Sequence, residues 1–331
     1  MMRVFSAQDV HAGLDYPRLV DALRDAFRAG DVAQPLRQVY DISPGGAPAH
    51  LLSMPAWRIG DAIGVKLVTV FPGNAAKGLG AVSAVYVLFD GSTGVALAIF
   101  DGEALTNRRT AAASALASTY LSRPESSTLL IVGTGNLAPY LAEAHCAVRP
   151  ISRILVWGRN PERAGALVRR LLVQGRTAQA TSDLAAATGR ADIISCATTS
   201  TEALLRGRDL RPGTHVDLVG AFTPRMRETD DEAVGRASVF VDTYAGAFAE
   251  AGDLLQAARA GVWSTDQARA ELHELAAGLK SGRRDSAEIT MFKSVGAAIE
   301  DLTAAKLLLD TCGQPSASPP GPIVPRASTR L

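Results

Sequence analysis

The sequence predicts an α/β protein in which a Rossmann-type, doubly wound parallel sheet is joined to an α+β domain. At 331 residues the chain is long enough for about two domains of ordinary size. Predicted strands and helices alternate after residue 127, as in a parallel sheet, whereas several strands follow one another before residue 101. An apolar strand ends in a glycine-containing turn at 133–135, where the alternation begins.

The composition is that of a soluble globular protein without a charge bias. Hydrophobic residues make up 47% of the chain, and 34 basic residues balance 33 acidic ones, for a net charge of +1. This balance argues against nucleic acid or a membrane surface as a partner. The first residues lack the apolar segment of a secretion signal, and no apolar run reaches the ~20 residues of a membrane span. We therefore expect a cytoplasmic protein.

The cysteines and histidines predict no metal site. The three cysteines and five histidines occur at spacings that fit neither a metal centre nor a redox pair. Cys146 and Cys196 lie in apolar segments, and we expect both to be reduced core residues.

The amino-terminal part is expected to form an antiparallel or mixed sheet with helices. Residues 6–30 are predicted to be helical, because leucines and Phe27 recur at helical spacing up to Gly30 and Ser6 is a candidate N-cap. Residues 103–121 form one alanine-rich helix. Strands are predicted at 50–54, 62–71, 82–89 and 95–100, the last two joined by a turn.

After a linker at 122–127, strands and helices alternate. Strands are predicted at 128–133, 153–157, 177–180, 192–197, 214–219 and 238–241, and helices at 136–147, 160–174, 182–188 and 246–260. A final helix, 292–311, is expected to cross back to the first domain. We assign 1–122 with 292–312 to the α+β domain and 123–291 to the Rossmann domain. The Pro- and Ser-rich residues 313–331 are expected to be a disordered tail.

The turn after the first strand of the Rossmann domain predicts a dinucleotide site. Gly133 permits a tight turn, Gly135 lets the backbone approach a pyrophosphate, and Ala138 allows close helix packing. Asn136 and Leu137 begin the helix, whose N-terminal N–H groups favour phosphate. Small turn residues are also common after buried strands without a ligand, but the position at the start of the alternating elements favours the nucleotide.

The end of the next strand favours NADP(H) over NAD(H). NAD sites usually carry an acidic residue about 20 positions after the glycines, where it binds the ribose hydroxyls. Here Arg159 and Asn160 follow the strand 153–157 instead. A guanidinium can pair with a 2′-phosphate, which a carboxylate would repel. The alternative is that Arg159 is a solvent-exposed residue ahead of the next helix.

Charged residues occur in the first domain where the apolar pattern predicts none. Lys66 interrupts an apolar strand, Arg108 and Arg109 lie near the start of the alanine-rich helix, and Arg37 stands alone in sequence. Two guanidiniums and an ammonium converging on one pocket would bind a small carboxylate. Periodicity alone favours a surface position for Arg37 and Arg108, whereas a lysine inside an apolar strand needs a partner.

Several longer motifs carry a resemblance to a known family. They are Gly64-Val-Lys-Leu-Val-Thr-Val-Phe-Pro-Gly-Asn74, Leu88-Phe-Asp-Gly-Ser-Thr-Gly94, the run 101–115 with Asn107-Arg-Arg-Thr-Ala111, Gly133-Thr-Gly135, Trp157-Gly-Arg-Asn-Pro161, the run 219–228 and Phe292-Lys-Ser-Val-Gly296. With these motifs the chain resembles the ornithine cyclodeaminase/mu-crystallin family over nearly its whole length except the tail.

The resemblance implies a homodimer in which the first domain supplies the dimer contact and much of the substrate pocket. It implies that the arginine before Thr110-Ala111, Arg109, meets a substrate carboxylate, and that the loop 220–224 lies beside the nicotinamide. The substrate-binding residues so implied are Arg37, Met54, Lys66, Arg109, Ser294 and Val295. Together with the turn residues, the implied cofactor contacts are Ser83, Arg109, Gly133, Gly135, Asn136, Leu137, Arg159, Asn160, Thr199, Gly220, Ala221 and Phe222.

Two departures from the family pattern bear on the reaction. Cyclodeaminases of the family carry an aspartate in the 220–224 loop as acid and base, and the matching residue here is Phe222. The Phe-Thr-Pro form resembles members that reduce cyclic ketimines such as Δ1-pyrroline-2-carboxylate. Ala81 stands where some relatives have a nicotinamide-contacting threonine. Lys66 is the candidate catalytic residue, either as a hydrogen-bond donor to the carboxylate or as part of the proton supply.

The expected activity is thus NAD(P)H-dependent reduction of cyclic ketimines to L-proline, with L-pipecolate as a further product. NADP(H) is the preferred cofactor, NAD(H) a possible one, and a small cyclic imino acid the partner. Three alternatives remain: ornithine cyclodeaminase, a non-catalytic mu-crystallin-like binding protein, and a dehydrogenase of open-chain imines. Asp90, Asp101 and Glu228 are the only carboxylates recognised near the motifs, and each is also explained as a turn or capping residue.

Overall fold

The computed structural model describes residues 2–313, which form two β-sheets with helices packed against them. The tail predicted for 313–331 lies outside the described residues except for Gly313. The amino-terminal elements are β1 (Arg3–Phe5), α1 (Ala7–Gly13), α2 (Tyr16–Ala29), β2 (Val32–Ala33), β3 (Gln38–Asp41), β4 (His50–Arg58), β5 (Ala62–Val70), β6 (Val82–Asp90), β7 (Ala96–Asp101) and α3 (Gly102–Leu121).

The first sheet is mixed, as the sequence predicts. Its seven strands run in the order β1-β7-β6-β5-β4-β2, with β3 also paired to β4. All neighbours are antiparallel except β1 and β7, which are parallel. Strand β5 lies between β4 and β6, so that Lys66 is opposite Met54 on one side and Tyr86 on the other.

The helix predicted over 6–30 is two helices. Ser6 caps α1 together with Asp9, as expected, but the chain leaves helical conformation at Leu14. The Asp15 side chain accepts a hydrogen bond from the backbone N–H of Arg18 and starts α2, which Gly30 ends in the left-handed conformation. The leucines keep their helical spacing through Leu14 and Asp15, where the first helix ends and Asp15 caps the second. The spacing alone therefore did not reveal the break.

The second sheet confirms the doubly wound Rossmann-type fold. Its eight strands are all parallel, in the order β10-β9-β8-β11-β12-β15-β13-β14. The elements are β8 (Thr128–Val132), α4 (Ala138–Val148), β9 (Arg153–Trp157), α5 (Pro161–Val173), β10 (Ala178–Ala180), α6 (Leu184–Thr188), β11 (Ile193–Cys196), β12 (His215–Leu218), α7 (Asp231–Arg236), β13 (Ser238–Val241), α8 (Tyr244–Glu250), α9 (Gly252–Arg259), β14 (Ala270–Glu271), α10 (Leu272–Ala276), β15 (Thr290–Lys293) and α11 (Ala298–Gly313).

Two helix predictions in this part are wrong in their bounds. The helix predicted at 246–260 is divided at Ala251 into α8 and α9. The helix predicted from Phe292 begins only at Ala298, because the four fully buried residues of β15 pair with β12 and β13. Gly296 then takes a left-handed φ of 88°, which separates the strand from the helix. The second sheet therefore extends past residue 291, where we expected its domain to end.

The last helix returns to the first sheet, as expected. Helix α11 packs against α2, α3, β4 and β5, and α3 contacts β12 and β15 of the second sheet. The residues on α3, β5 and α11 are thus brought together beside the edge of the second sheet. Within residues 2–313, no helix is long and apolar enough to cross a membrane.

Candidate active site

The glycine turn after β8 has the shape that a dinucleotide site needs. Gly133 has a φ of 116°, and a Cβ there would lie 2.6 Å from the carbonyl oxygen of Ala197. A Cβ on Gly135, by contrast, would meet open space. Leu137 precedes α4 without a capping side chain, so the first N–H groups of this helix have no side-chain acceptor there. The backbone is therefore closely packed at Gly133 and open to a ligand at Gly135. This arrangement fits a bound pyrophosphate.

Three predicted cofactor contacts lie around this turn. A Cβ on Gly158 would lie 2.6 Å from the Thr134 side chain, so the end of β9 lies directly beside the turn. Arg159 is exposed at that point. Asn160 accepts hydrogen bonds from the N–H groups of Glu162 and Arg163 and caps α5. Asn136 donates to a carboxylate oxygen of Glu103 on α3, at 2.9 Å.

The remaining second-sheet contacts follow β11 and β12. Thr199 is exposed, and Phe222 is 42% exposed. Ala221 is fully buried and is the only non-glycine residue in the described chain with a positive φ, at 49°. Strain of this kind is stored mostly at functional sites, where the surroundings enforce it. These loops lie at the carboxyl ends of parallel strands, the edge where open α/β sheets bind ligands.

The first domain contributes a buried cluster of four charged side chains. The Lys66 ammonium lies 2.8 and 3.0 Å from the two carboxylate oxygens of Asp301 and 3.4 Å from the Thr106 hydroxyl. The Arg109 guanidinium donates to Asp301 at 3.1 Å and to Glu300 at 2.6 Å. All four charged side chains are at least 95% buried. The two cations predicted to bind substrate are thus held by two acids of α11.

Burial shifts the protonation of this cluster. Desolvation, helped by the nearby charge of Arg109, lowers the pKa of Lys66 to about 8, although Asp301 opposes the shift. Desolvation raises the pKa of Glu300 to about 7 against the attraction of Arg109. Burial would lower the pKa of Arg109, but Asp301 and Glu300 outweigh it and keep the guanidinium charged. The neutral form of Lys66 is therefore closer in free energy to its charged form at neutral pH than that of an exposed lysine.

Arg37 and Met54 line a cleft next to the cluster. Arg37 donates to the carbonyl oxygens of Val295 at 2.6 Å and Gly296 at 3.2 Å, and its guanidinium lies 3.0 Å from Glu250. The cleft has a volume of about 220 Å³. A Cβ on Gly296 would lie 2.7 Å from the Arg109 guanidinium, so Gly296 separates the two arginines by a single backbone segment.

Ser294 and Val295 lie where β15 ends. The N–H groups of Val295 and Gly296 both donate to one oxygen of the buried Asp242, at 2.8 and 2.7 Å. The Ser294 hydroxyl is buried and has no hydrogen-bond partner among the described residues. The turn whose carbonyl oxygens bind Arg37 is thus held in place by Asp242. The Ser294 hydroxyl next to this turn is available for a hydrogen bond.

Two singled-out residues are not part of this arrangement. Ser83 pairs with Thr69 in the register of β5 and β6, so the alternation of side chains places it on the sheet face opposite Lys66. Arg108 is only 13% exposed, which contradicts a surface position. It bonds to Glu143 and to the His11 carbonyl, away from Arg109.

The sequence reasoning missed the acids of the site. Asp301, Glu300 and Glu250 hold the predicted cations, so the statement that only three carboxylates lie near the motifs is wrong. The signal was present, because Glu300 and Asp301 interrupt an apolar helical run just as Lys66 interrupts an apolar strand. Asp90 and Asp101 are indeed turn and capping residues. In the part of the chain that the structure describes, no group of side chains could hold a metal ion.

A Rossmann sheet with an accessible glycine turn, joined to a domain with a buried cation pair, defines the chain as a dinucleotide-binding α/β protein. The chain belongs to the ornithine cyclodeaminase/mu-crystallin family, whose model matches residues 2–314. SAR DEFICIENT 4 of Arabidopsis thaliana is 42% identical over 85% of this chain and 87% of its own length. The Δ1-pyrroline-2-carboxylate reductase of Colwellia psychrerythraea is 38% identical, over 93% and 99% respectively.

Two solved structures share the fold over most of the chain. The Δ1-pyrroline-2-carboxylate reductase of Thermococcus litoralis, in complex with NADH and L-proline, superposes with a TM-score of 0.89 at 34% identity, covering 94% of this chain and 97% of that one. An archaeal alanine dehydrogenase dimer with bound NAD superposes with a TM-score of 0.87 at 29% identity, covering 94% and 96%.

Asp301→Asn should destabilise the protein strongly, since it leaves two buried cations with one acid. We expect the free energy of unfolding to fall by about 3–5 kcal/mol. The matched control is Asp310→Asn on the same helix, whose side chain is 61% exposed and should change stability by less than about 0.5 kcal/mol. Urea unfolding measures both, and equal effects would contradict the cluster's importance.

Proposed function

We propose that the protein is an NADPH-preferring reductase of cyclic ketimines, which converts Δ1-pyrroline-2-carboxylate to L-proline and Δ1-piperideine-2-carboxylate to L-pipecolate. One observation carries this proposal: Lys66 and Arg109 form a buried cation pair next to Gly296, at the carboxyl end of β15 in the parallel sheet. Arg109 uses two of its five N–H donors on Asp301 and Glu300, and the others can bind a small carboxylate. The names of the reductases from Colwellia and Thermococcus support the same substrate class.

The chain's own residues would bind the imino acid by its carboxylate. Arg109 and Arg37 offer guanidinium groups on either side of Gly296, and Lys66 adds an ammonium. When bound at the sheet edge, a reduced nicotinamide would supply the hydride that the imine carbon accepts. The imine nitrogen gains a proton in the same conversion, and we assign its supply to Lys66, whose pKa is lowered to about 8. Arg109 stays charged throughout and anchors the ring.

Phe222 favours net reduction over internal redox chemistry. The loop position that would carry an aspartate for deamination holds a half-exposed phenyl ring. The next acid along the loop, Glu228, is buried and engaged by Thr198. Without a carboxylate facing the cleft from this loop, a cyclodeaminase proton transfer has no group to perform it.

Arg159 is the basis for the NADPH preference. It is exposed directly beside the glycine turn, where an acidic residue would otherwise select NAD(H). The two structural relatives are described with NADH and NAD, so the proposed NADPH preference rests on Arg159 alone.

The exposed face of the first sheet supports a homodimer. Side chains on this face form apolar rows across β4, β5 and β6, such as Pro55, Val65 and Val87, and Leu67 is 38% exposed. Helices α3 and α11 cover the opposite face only. An extended apolar sheet surface of this kind is typical of an interface, and we propose a second copy as its partner.

Incubation with NADPH and Δ1-pyrroline-2-carboxylate should produce L-proline with one NADPH oxidised per product. Cofactor absorbance and proline analysis measure the two quantities. A parallel reaction with ornithine and NAD should release no ammonia. Ammonia from ornithine without NADPH oxidation by the imine would overturn the proposal.

Arg159→Ala should weaken NADPH binding by about tenfold to a hundredfold, because a charged hydrogen bond to the 2′-phosphate is lost. NADH, which lacks this phosphate, should bind as before. The control is Arg169→Ala, an exposed arginine farther along α5. Fluorescence titration measures both cofactors, and an unchanged NADPH:NADH ratio in Arg159→Ala would refute the role of Arg159.

The kcat/KM for the imine should decline as the pH rises through about 8, since the ammonium of Lys66 loses its proton there. Below this pH the charged form, which binds the carboxylate and donates the proton, predominates. Lys66→Arg should move the decline to higher pH, because a guanidinium stays charged. If wild type and Lys66→Arg decline at the same pH, Lys66 is not the titrating group.

Leu67→Glu should convert the dimer to a monomer, because each copy would place a carboxylate in an apolar interface. The control is Val4→Glu, at a position that is 73% exposed on the edge strand β1. Light scattering coupled to gel filtration gives the mass of each. A dimeric Leu67→Glu protein, or a monomeric wild type, would contradict the proposed interface.

A further inference from the structure

A second buried charged cluster lies behind the loops that follow β11 and β12. It consists of Lys293, Asp253 and Glu228, each with no exposed surface. Lys293 is the last residue of β15, Asp253 lies in the first turn of α9, and Glu228 belongs to the segment between β12 and α7. The mechanism proposed above uses none of these three side chains.

Each side chain of the cluster forms a hydrogen bond with a backbone group, either in one of the two loops or in another residue of the cluster. The Lys293 ammonium donates to the carbonyl oxygen of Gly220 and lies 3.4 Å from Asp253. Asp253 accepts the backbone N–H of Glu228 at 2.7 Å. Glu228 in turn accepts the backbone N–H of Thr198 at 2.7 Å and the Thr198 hydroxyl at 2.9 Å. The three side chains thereby connect the loop after β11 to the loop after β12.

The loops have no room for a side chain at Gly220. A Cβ on Gly220 would lie 2.3 Å from the Thr198 carbonyl oxygen and 2.4 Å from a Glu228 carboxylate oxygen. Ala221 has its positive φ directly after Gly220, and its carbonyl oxygen accepts the Gly252 N–H at 3.0 Å. The strained backbone at Ala221 is thus enforced by contacts with buried residues. Thr199 and Phe222, in the same two loops, remain exposed.

We propose that Lys293, Asp253 and Glu228 are positioning residues that fix the two loops for the nicotinamide half of the dinucleotide. The inference rests on the proposed cofactor site, because Thr199 and Gly220 to Phe222 are its predicted contacts there. The adenosine half binds at the opposite side of the glycine turn, around Arg159. Loss of the cluster's hydrogen bonds therefore affects one half of the cofactor and leaves the other half bound as before.

The contributions of the two halves can be told apart by comparing the binding of two ligands, in an experiment that needs no turnover. NADPH contains both halves, whereas adenosine 2′,5′-bisphosphate contains only the half that lies near Arg159. Glu228→Ala removes the acceptor of the Thr198 N–H, and we expect about tenfold weaker NADPH binding with bisphosphate binding within about twofold of wild type. Glu228→Gln keeps an acceptor oxygen at the same place and should restore NADPH binding to within about threefold of wild type.

The matched control is Asp192→Asn, a buried acid at the amino end of β11 that accepts from Arg123 at 2.6 Å. The Asp192→Asn substitution should change the affinities for NADPH and the bisphosphate by the same factor, or change neither. If Glu228→Ala does not fold, Thr198→Val removes the hydroxyl contact at nearly constant volume and should weaken NADPH binding alone, by about threefold.

Isothermal titration calorimetry measures all of these affinities. Equal weakening of both ligands in the Glu228 and Thr198 variants, or unchanged NADPH binding in them, would overturn the positioning role. A wild type that binds neither NADPH nor NADH would instead overturn the proposed function. If the wild type prefers NADH, the same test is made with NADH and adenosine 5′-monophosphate.

Discussion

The site depends on the placement of Asp301 between Lys66 and Arg109. Burying two cations is costly unless acids of matching number and geometry are buried with them, and here Glu300 supplies the second acid. The cations come from a strand and a helix of the amino-terminal part, whereas both acids come from the last helix. The chain must therefore return to its first sheet for the site to exist.

This electrostatic requirement explains the architecture around the cleft. Helix α11 is directed towards the first sheet by the turn at Gly296, whose N–H is held by Asp242 and whose lack of a side chain leaves room for Arg109. The same turn offers the carbonyl oxygens that hold Arg37. A second charged cluster, around Lys293, fixes the loops on the far side. The exposed surfaces that we propose as ligand-binding surfaces thus rest on buried ion pairs.

Much of the fold was predictable because its signals are local. The parallel sheet follows from the regular alternation of strands and helices, and the glycine turn from small residues at the position where this alternation begins. Lys66 was recognisable as a charge inside an apolar strand. The partners of these residues were not predicted, because Asp301 lies 235 positions from Lys66 in sequence, and the helix prediction began at Phe292, in what is a buried strand. Pairing over such distances depends on topology, which local patterns do not contain. Ser83 shows the converse, because the family resemblance implied a cofactor contact, whereas the strand register directs its side chain to the face opposite Lys66.

The most direct test of this account is a crystal structure of the protein with NADP⁺ and L-proline. We predict that the proline carboxylate lies within hydrogen-bond distance of the Arg109 guanidinium and the Lys66 ammonium, with Asp301 still bonded to both cations. Proline bound away from Arg109 and Lys66, or a Lys66 side chain turned away from Asp301, would contradict the claim that the buried cluster forms the substrate site.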